Sequence, residues 1–472
     1  MSKLIKQYLE QVNEISQITL NPNGPGSIRI HLIPPKKRKI GISWVVILNG
    51  QDVLPLTTGW AILLREFIQE AIQYDGIVLN PEQTKKLVTN TIIRVKKVFP
   101  KAQNDIIKDD LKDLLELLTK IAKREPIPND IGYMTLSKYS KYMSAPHRMD
   151  LMISSMNKDG HWHCNQKCLH CYASCQEKAI VNELSTEEWK KIIDKCKESM
   201  ISQLTFTGGE PTLRPDLVEL VKHSSWFVTR LNTNGVLLTK ELCQQLKEAS
   251  LDSVQITLYS YNEEIHNKLV GANNFNKTIE GIKNALEAGL NVSINTPLCT
   301  LNAEYKKTII FAHKLGVTYY SCSGLIMTGN SLDDNAQETY LSKEVMLNIL
   351  QEARVYCRNN ELELSFTSPG WIREYDLVQM NLNVPSCGAA LSNMAIAPDG
   401  TVVPCQSWLN GTNLGNMLTD DWKHIWNNKQ TKKIRKYTLA SCKIFSITSF
   451  ERYVSCALSS NEFPVIISPE HE

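Results

Sequence analysis

The chain has no run of about eighteen or more apolar residues, so no membrane-spanning helix is expected. Its opening residues, "MSKLIKQYLEQVNEISQ", are broken by charged and polar side chains and lack the apolar core of a secretory signal. A cytoplasmic protein is therefore expected. An excess of either charge is also missing. The 52 Lys and Arg against 49 Asp and Glu leave a net charge of +3, which argues against a strongly basic nucleic-acid binder. Low-complexity tracts and internal repeats are absent. What is present is length and apolar content: 472 residues, 42% hydrophobic, suffice for two or three domains with cores of their own. The chain also holds thirteen cysteines. In a small secreted protein they would suggest disulfides, but in a long chain of a reducing compartment clustered cysteines are more often metal ligands or catalytic groups.

Four of those cysteines and three histidines fall within "HWHCNQKCLHCYASC", from His161 to Cys175. Cys164, Cys168 and Cys171 follow C-x3-C-x2-C spacing. A tight loop can gather three such thiolates around one metal centre, and their softness favours iron–sulfur or zinc over hard cations. Structural zinc wants four ligands. Cys175 or a neighbouring His could supply the fourth, so spacing alone leaves zinc open.

The stretch sits at the start of a regular alternation. "MDLMISSM", "QLTFTGGEP", "FVTRLNTNG", "SVQITLYS", "NVSINTPL" and "TYYSCSGLI" read as strands. Between them "LRPDLVELVKHSSW", "TKELCQQLKEAS", "FNKTIEGIKNALEAG" and "AEYKKTIIFAHKLG" carry apolar residues at helical spacing. Six strands alternating with helices predict an α/β fold, a partial (β/α)6 TIM-like barrel over residues 148–335, with chemistry gathered just after the strands. Residues 1–130 have a different texture. "SIRIHLIP", "GISWVVILNG" and "QDVLPLT" read as strands, "GWAILLREFIQEAI" and Asp109 to Arg124 as helices, giving an N-terminal α+β accessory domain. "KREPIPNDIG" reads as a linker, and the basic run "PPKKRK" ending at Lys39 as a solvated loop that could also meet an acidic partner. Residues 336–386 read as a helical bridge, and residues 387–472 as a small cysteine-containing extension with a hairpin signal, "MAIAP-DG-TVVPC".

"CNQKCLHCYA" resembles the cluster loop of the radical S-adenosylmethionine (radical SAM) enzymes, with His170 in the slot the family fills with an aromatic residue. "TFTGGEPTLRPDL" after the next strand resembles the family's GGE segment, which contacts the amino group of the bound methionine moiety, and implies that part for Gly208, Gly209 and Glu210. "NTNG" resembles the end of the following strand and brings in Asn232 and Asn234. "ITLYS" places Thr257 where the family has a Ser or Thr near the ribose and carboxylate. "HNKLVGANNFNKTIEGIKNAL", with Gly271 and Phe275, resembles the segment downstream. The resemblance implies a [4Fe-4S] cluster on Cys164, Cys168 and Cys171, with S-adenosylmethionine on its open iron. One-electron cleavage to a 5′-deoxyadenosyl radical and hydrogen abstraction from a substrate would follow, the protein supplying position and exclusion. It also implies a reductant such as flavodoxin or ferredoxin. His161, Trp162 and His163 have no role in that scheme. Cys175, Cys196, Cys243, Cys299 and Cys357 read as small apolar residues or idle thiols. Cys322 lies on a strand of undetermined facing; turned to the substrate, it could return a hydrogen atom to a product radical.

"CGAALSNMAIAPDGTVVPC" is similar to the start of the SPASM extension of peptide-modifying radical SAM enzymes, as is "NLGNMLTDDWKHIWNN". The family then has a C-x2-C-x5-C-x3-C run. Here Cys442 could open it, but Phe445 stands where the second Cys should be. Cys387, Cys405, Cys442 and Cys456 could hold one auxiliary iron–sulfur cluster, not two. The implied function is hydrogen abstraction from a peptide or protein in natural-product peptide maturation. The N-terminal strands and helix resemble the leader-peptide recognition domain of such enzymes, which binds its peptide by strand addition; an unrelated accessory domain is the alternative. Neither nucleic acid nor membrane is an expected partner. Two alternatives stand beside it: a radical SAM enzyme acting on a small-molecule cofactor precursor, and a non-catalytic iron–sulfur or zinc redox protein.

Overall fold

The computed structural model describes residues 2–12, 14–20, 28–35, 43–49, 52–74, 77–123, 125, 140, 143–367, 372, 374–382 and 387–443. The chain separates into two compact units, one of residues up to Ala145 with Lys197–Ser202, the other running from Pro146.

The first unit opens with helix α1 (Ser2–Gln11) and four strands, β1 (Ser16–Leu20), β2 (Ile28–Ile33), β3 (Trp44–Leu48) and β4 (Asp52–Leu56). They form one antiparallel sheet in sequence order, so β1 and β4 are its edges. Three helices follow: α2 (Thr58–Ala71), α3 (Pro81–Val98) and α4 (Asn104–Ala122). The Thr57 side chain caps α2. Asn80 and Gln83 close a reciprocal capping box on α3, whose first residue is Pro81. Ile30, Leu32, Val46 and Leu48 meet Leu64, Ile68, Leu114 and Leu118 in one apolar core. At its border the Glu66 carboxylate accepts hydrogen bonds from Tyr8 and, at 2.6 Å, from Arg94, tying α1, α2 and α3 together. The three expected strands and α2 are present. Helices α1 and α3 and strand β1 were not read from the sequence. In α3 the buried residues Leu87, Thr91, Val95 and Val98 keep helical spacing, but Lys, Thr and Asn between them blunt the pattern. Helix α4 starts at Asn104, earlier than Asp109. Residues 36–39 of the basic run, and all of the linker except Lys123 and Glu125, lie outside the described residues.

The second unit is a partial (β/α)6 barrel. Strand β5 (Arg148–Ser154) is followed by a small hairpin, β6 (Asn157–Lys158) and β7 (His161–Trp162), and by helix α5 (Thr186–Glu198). The alternation then runs β8 (Gln203–Gly208), α6 (Leu217–His223), β9 (Val228–Thr233), α7 (Lys240–Glu248), β10 (Ser253–Thr257), α8 (Glu263–Val270), α9 (Phe275–Glu287), β11 (Asn291–Pro297), α10 (Tyr305–Lys314) and β12 (Tyr319–Ser323). The six long strands pair in parallel, each with its neighbour in the alternation. Period-two alternation gives the sheet two chemistries. Leu204, Phe206, Leu231, Val254, Ile256 and Ile294 are buried on the helix-covered face. Asn232, Gln255, Thr257 and Asn295 face the lumen.

The sheet does not stop at six strands. Helix α11 (Lys343–Asn359) leads to β13 (Glu363–Thr367), which joins β12 in parallel, so residues 336–386 contain a strand as well as helix. On the other edge β14 (Asn393–Ile396) pairs in parallel with β5, and β15 (Val402–Val403) returns antiparallel to it. The expected hairpin is therefore an extension of the barrel sheet. Helices α12 (Trp422–Asn427) and α13 (Lys429–Lys443) close the described chain. Among the described residues no helix is long and apolar enough to cross a membrane.

Candidate active site

Cys164, Cys168 and Cys171 lie on the loop after β7, and its backbone is fixed from three sides. The Lys167 and Leu169 amides donate to the Val270 and Leu269 carbonyls at 2.9 Å each, so the loop runs along the end of α8. Gly271 ends that helix at φ +62°, and a Cβ there would stand 2.5 Å from the Lys167 carbonyl oxygen. The Trp162 indole donates to the Gln166 carbonyl at 2.9 Å. The Gln166 amide donates to Asn274 at 3.1 Å, and Asn330 to the Cys168 carbonyl at 3.0 Å. Trp162 also packs in one apolar cluster with Cys164, Cys171 and Tyr172, which gives it the packing role left open by the sequence. His161 is exposed, and the His163 amide donates to Met156 at 2.8 Å.

A cavity of about 210 Å3 separates this loop from the carboxyl ends of the strands. The three cysteines, Gly208, Gly209, Glu210, Asn232, Asn234, Thr257 and His170 all line it. A larger recess of about 460 Å3 beside Glu264, Lys268 and Asn273 lies away from these donors.

The GGE turn is shaped by lack of room. Gly208 has φ +137°, and a Cβ on it would meet the Ser154 carbonyl oxygen at 2.2 Å, so the turn lies flat against β5. Glu210 is buried, and its carboxylate accepts from the Thr212 amide (3.0 Å) and hydroxyl (2.6 Å), the Thr233 hydroxyl (2.6 Å) and the Asn234 amide (2.8 Å). Burial pushes its pKa up, and those donors pull against the rise. Glu210 thus joins the ends of β8 and β9. Asn234 reaches on to the cluster loop, its side-chain amide donating to Asn165 at 2.6 Å. His170 is buried, with Nε2 2.7 Å from the Thr339 hydroxyl; burial lowers its pKa to about 4.

The donor set fits a cationic cluster and a polar nucleoside ligand. Burial raises all three thiol pKa values, Cys164 to about 12; Glu210 and Cys171 add to the rise for Cys164, and Cys171 and Cys164 for Cys168. Thiolates here need a positive centre beside them. Asn232 Oδ1 on the strand wall and His170 Nδ1 on the loop wall are buried without a partner, free to meet polar groups of a ligand. Among the described residues no three His, Cys, Asp or Glu side chains converge as ligands of a single ion.

The C-terminal cysteines divide. Cys405 and Cys387 sense each other: burial first, then Cys387 and Asp150, push Cys405 up to about 12. Gln406, next in the chain, lines the cavity. Cys442 lies on α13, and Cys456 lies outside the described residues. Cys322 has the facing that the sequence left open. It is buried on the helix-covered face, hydrogen-bonded with Tyr305 and near Cys357, while Ser321 and Ser323 take the opposite facing. Its thiol is turned away from the lumen. Cys196, Cys243, Cys299 and Cys357 are buried, and Cys175 is exposed.

Sequence reading missed Gln255, Tyr259 and Asn295, which also line the cavity. Counting back by two from Thr257 would have found Gln255. It missed Tyr172 as well, whose hydroxyl bonds Thr207 and which lies within electrostatic reach of both Cys171 and Cys405.

Residues 163–312 match the model described as the radical SAM superfamily, and residues 387–447 that of the SPASM iron–sulfur cluster-binding domain. The chain is similar to an AdoMet-dependent heme synthase of Oleidesulfovibrio alaskensis, 32% identical over 178 residues, which cover 37% of this chain and 46% of that protein. It is similar also to a PqqA peptide cyclase of Bradyrhizobium diazoefficiens, 29% identical over 250 residues, 52% of this chain and 64% of that one. The matched part thus spans about half to two thirds of these two relatives. In fold it resembles Streptococcus suis SuiB bound to S-adenosylmethionine, with TM-score 0.55 and 18% identity over 84% of this chain and 87% of that one. The radical SAM domain implies a [4Fe-4S] cluster and S-adenosylmethionine, and the SPASM domain implies auxiliary iron–sulfur clusters.

Proposed function

Residues 163–312 form a radical SAM domain and residues 387–447 a SPASM domain, and on that premise we propose that this chain abstracts a hydrogen atom from a peptide or protein during peptide maturation. The observation that carries the reading is the single cavity shared by the three loop thiols and the strand-end polar groups. Bound together, the cluster and S-adenosylmethionine supply a 5′-deoxyadenosyl radical by one-electron cleavage. Cys164, Cys168 and Cys171 would hold that cluster. The turn from Gly208 to Glu210 would receive the methionine amine, and Thr257, Asn232, Asn234 and His170 the remaining polar groups. Glu210, with its lone pairs engaged by Thr212, Thr233 and Asn234, holds the two strand ends at fixed separation. Trp162 and Met156 pack against Cys164 and Cys171. Cys387 and Cys405, with Cys442 and Cys456, would hold one auxiliary cluster. A flavodoxin- or ferredoxin-type partner in the cytoplasm would deliver the electron.

A peptide substrate is supported by the likeness to the PqqA peptide cyclase and by the antiparallel sheet of the first unit, whose edge strands could accept a leader segment as an added strand. The likeness to the heme synthase supports a second reading, a small-molecule cofactor precursor as substrate.

Anaerobic reconstitution, iron and sulfide counting, and assay of 5′-deoxyadenosine after dithionite reduction test the reading, with Cys168→Ala as control. About four irons with deoxyadenosine formed support the loop cluster alone, and about eight add the C-terminal site. Zinc in place of iron, or no deoxyadenosine from a loaded protein, overturns the radical chemistry. Stimulation of deoxyadenosine formation by peptides encoded beside the gene, and not by a porphyrin bearing free propionates, separates the two substrates.

A further inference from the structure

Below the cavity the same strands carry a second row of side chains with the same facing. Asn232 on β9 and Gln255 on β10 line the cavity and pair in register. Two residues earlier on the same strands, about 6–7 Å further down, stand Arg230 and Ser253, also paired. Thr205 on β8 pairs with Arg230 on one side and with Asp150 on the other. These four residues form a second row facing the same lumen.

That row is charged, and with Arg148, two residues before Asp150, its charges do not cancel. Asp150, 1% exposed, is held by Arg148, Nε to Oδ1 at 2.9 Å. Arg230 has only the Ser253 hydroxyl, 3.4 Å from its Nε, and among the described residues no carboxylate lies within ion-pair distance of it. Two guanidinium groups thus share one carboxylate. Burial, and after it Arg148, lower the Arg230 pKa to about 10 against the opposing pull of Asp150, as for a cation short of a partner. Arg230 is partly exposed, and a planar guanidinium matches a carboxylate through two parallel N–H bonds.

We propose that Arg230 is a substrate-binding residue that receives a carboxylate of the substrate, an acidic side chain of a peptide, in the lumen below the S-adenosylmethionine site. The inference rests on the radical SAM reading for what lies above it and adds a substrate class to that reading. The Arg148–Asp150 pair fixes the floor beside the anchor. Tyr172, bonded to Thr207, lies within electrostatic reach of Asp150. A substrate anchored at Arg230 extends upward past Asn232 and Gln255, and the carbon next to be attacked is set by its distance from that carboxylate.

The test is calorimetric titration of the anaerobically reconstituted protein, saturated with S-adenosylmethionine, with Ac-Gly-Glu-Gly-amide and Ac-Gly-Gln-Gly-amide. The glutamate peptide is expected to bind about tenfold or more tightly than its neutral twin. The preference should vanish in Arg230→Met and persist, reduced, in Arg230→Lys. Equal affinities, no measurable binding of the glutamate peptide, or a preference untouched by Arg230→Met each overturn the proposal. Equal affinities would leave Arg230 as a counter-charge to Asp150. Should Arg230→Met fail to retain iron, the two wild-type titrations and Arg230→Lys decide. Absence of deoxyadenosine from the reduced wild type defeats the radical reading separately, because the glutamate preference is read without reduction.

Discussion

Asn234, just past the end of β9, donates its side-chain amide to Asn165 on the cysteine loop at 2.6 Å. The two walls of the cavity are therefore joined directly, and the loop's thiols and the strand-end donors move as one body. Changes on one wall should register on the other.

Glu210 is the sharpest place to observe this. Glu210→Ala leaves the Thr212, Thr233 and Asn234 donors buried and unpaired, a loss of about 2–4 kcal/mol. Glu210→Gln keeps an acceptor and should lose less. Thermal unfolding gives the stability order, and equilibrium dialysis should show both variants binding S-adenosylmethionine more weakly. An alanine variant as stable as wild type would remove Glu210 from its joining role.

Gly271→Ala touches no ligand directly, yet its Cβ would stand 2.5 Å from the Lys167 carbonyl at a positive φ. About 1–3 kcal/mol of strain is expected, relieved by displacing the cysteine loop. Iron retained after gel filtration should fall in parallel with the melting temperature. Full iron retention would show that the loop can yield without opening.

His266 should make the protein acid-sensitive. The ring is fully buried, its Nδ1 accepting from the Tyr259 amide, and burial holds its pKa at about 4 against 6.5 when unfolded. Between those values the unfolded chain binds the extra proton, so stability is complete above about pH 6.5 and is lost as the medium is acidified towards 4. Urea unfolding should show about 2 kcal/mol lost through this ring between pH 7 and pH 5. His266→Asn, which keeps an acceptor without the titration, should narrow that difference. An unchanged difference would place the sensitivity on other groups.

Cys322→Ala should leave deoxyadenosine formation and product distribution unaltered, because the thiol lies on the helix side of β12. Its effect belongs to packing against Tyr305 and Cys357, about 1 kcal/mol. Deuterium washed into product from solvent in wild type, but not in this variant, would contradict that placement.

Much of this was legible because barrels of this kind repeat one physical rule. Each strand ends in residues that turn polar, as in "FTGGE" and "LNTNG", and the topology brings consecutive strand ends to one rim. The spacing of Cys164, Cys168 and Cys171 needed only a loop long enough to curl. What escaped was set by distance along the chain. Residues 363–367 alternate weakly, and their strand character comes from pairing with β12. Gln406 enters the cavity because a C-terminal hairpin lies beside β5, a pairing no local pattern announces. Cys322 was ambiguous because facing depends on register, and one residue of slip reverses it.

The pairing of β14 with β5 also bears on how the chain comes to be folded. The first strand of the barrel waits for β14, far along the chain, so its outer edge stays unsatisfied until that strand has been synthesised. During that interval the cysteine loop, which follows β5 closely, belongs to a sheet with an open flank. Assembly of the metal site and completion of the barrel are in this way drawn late, and together, in the life of the nascent chain.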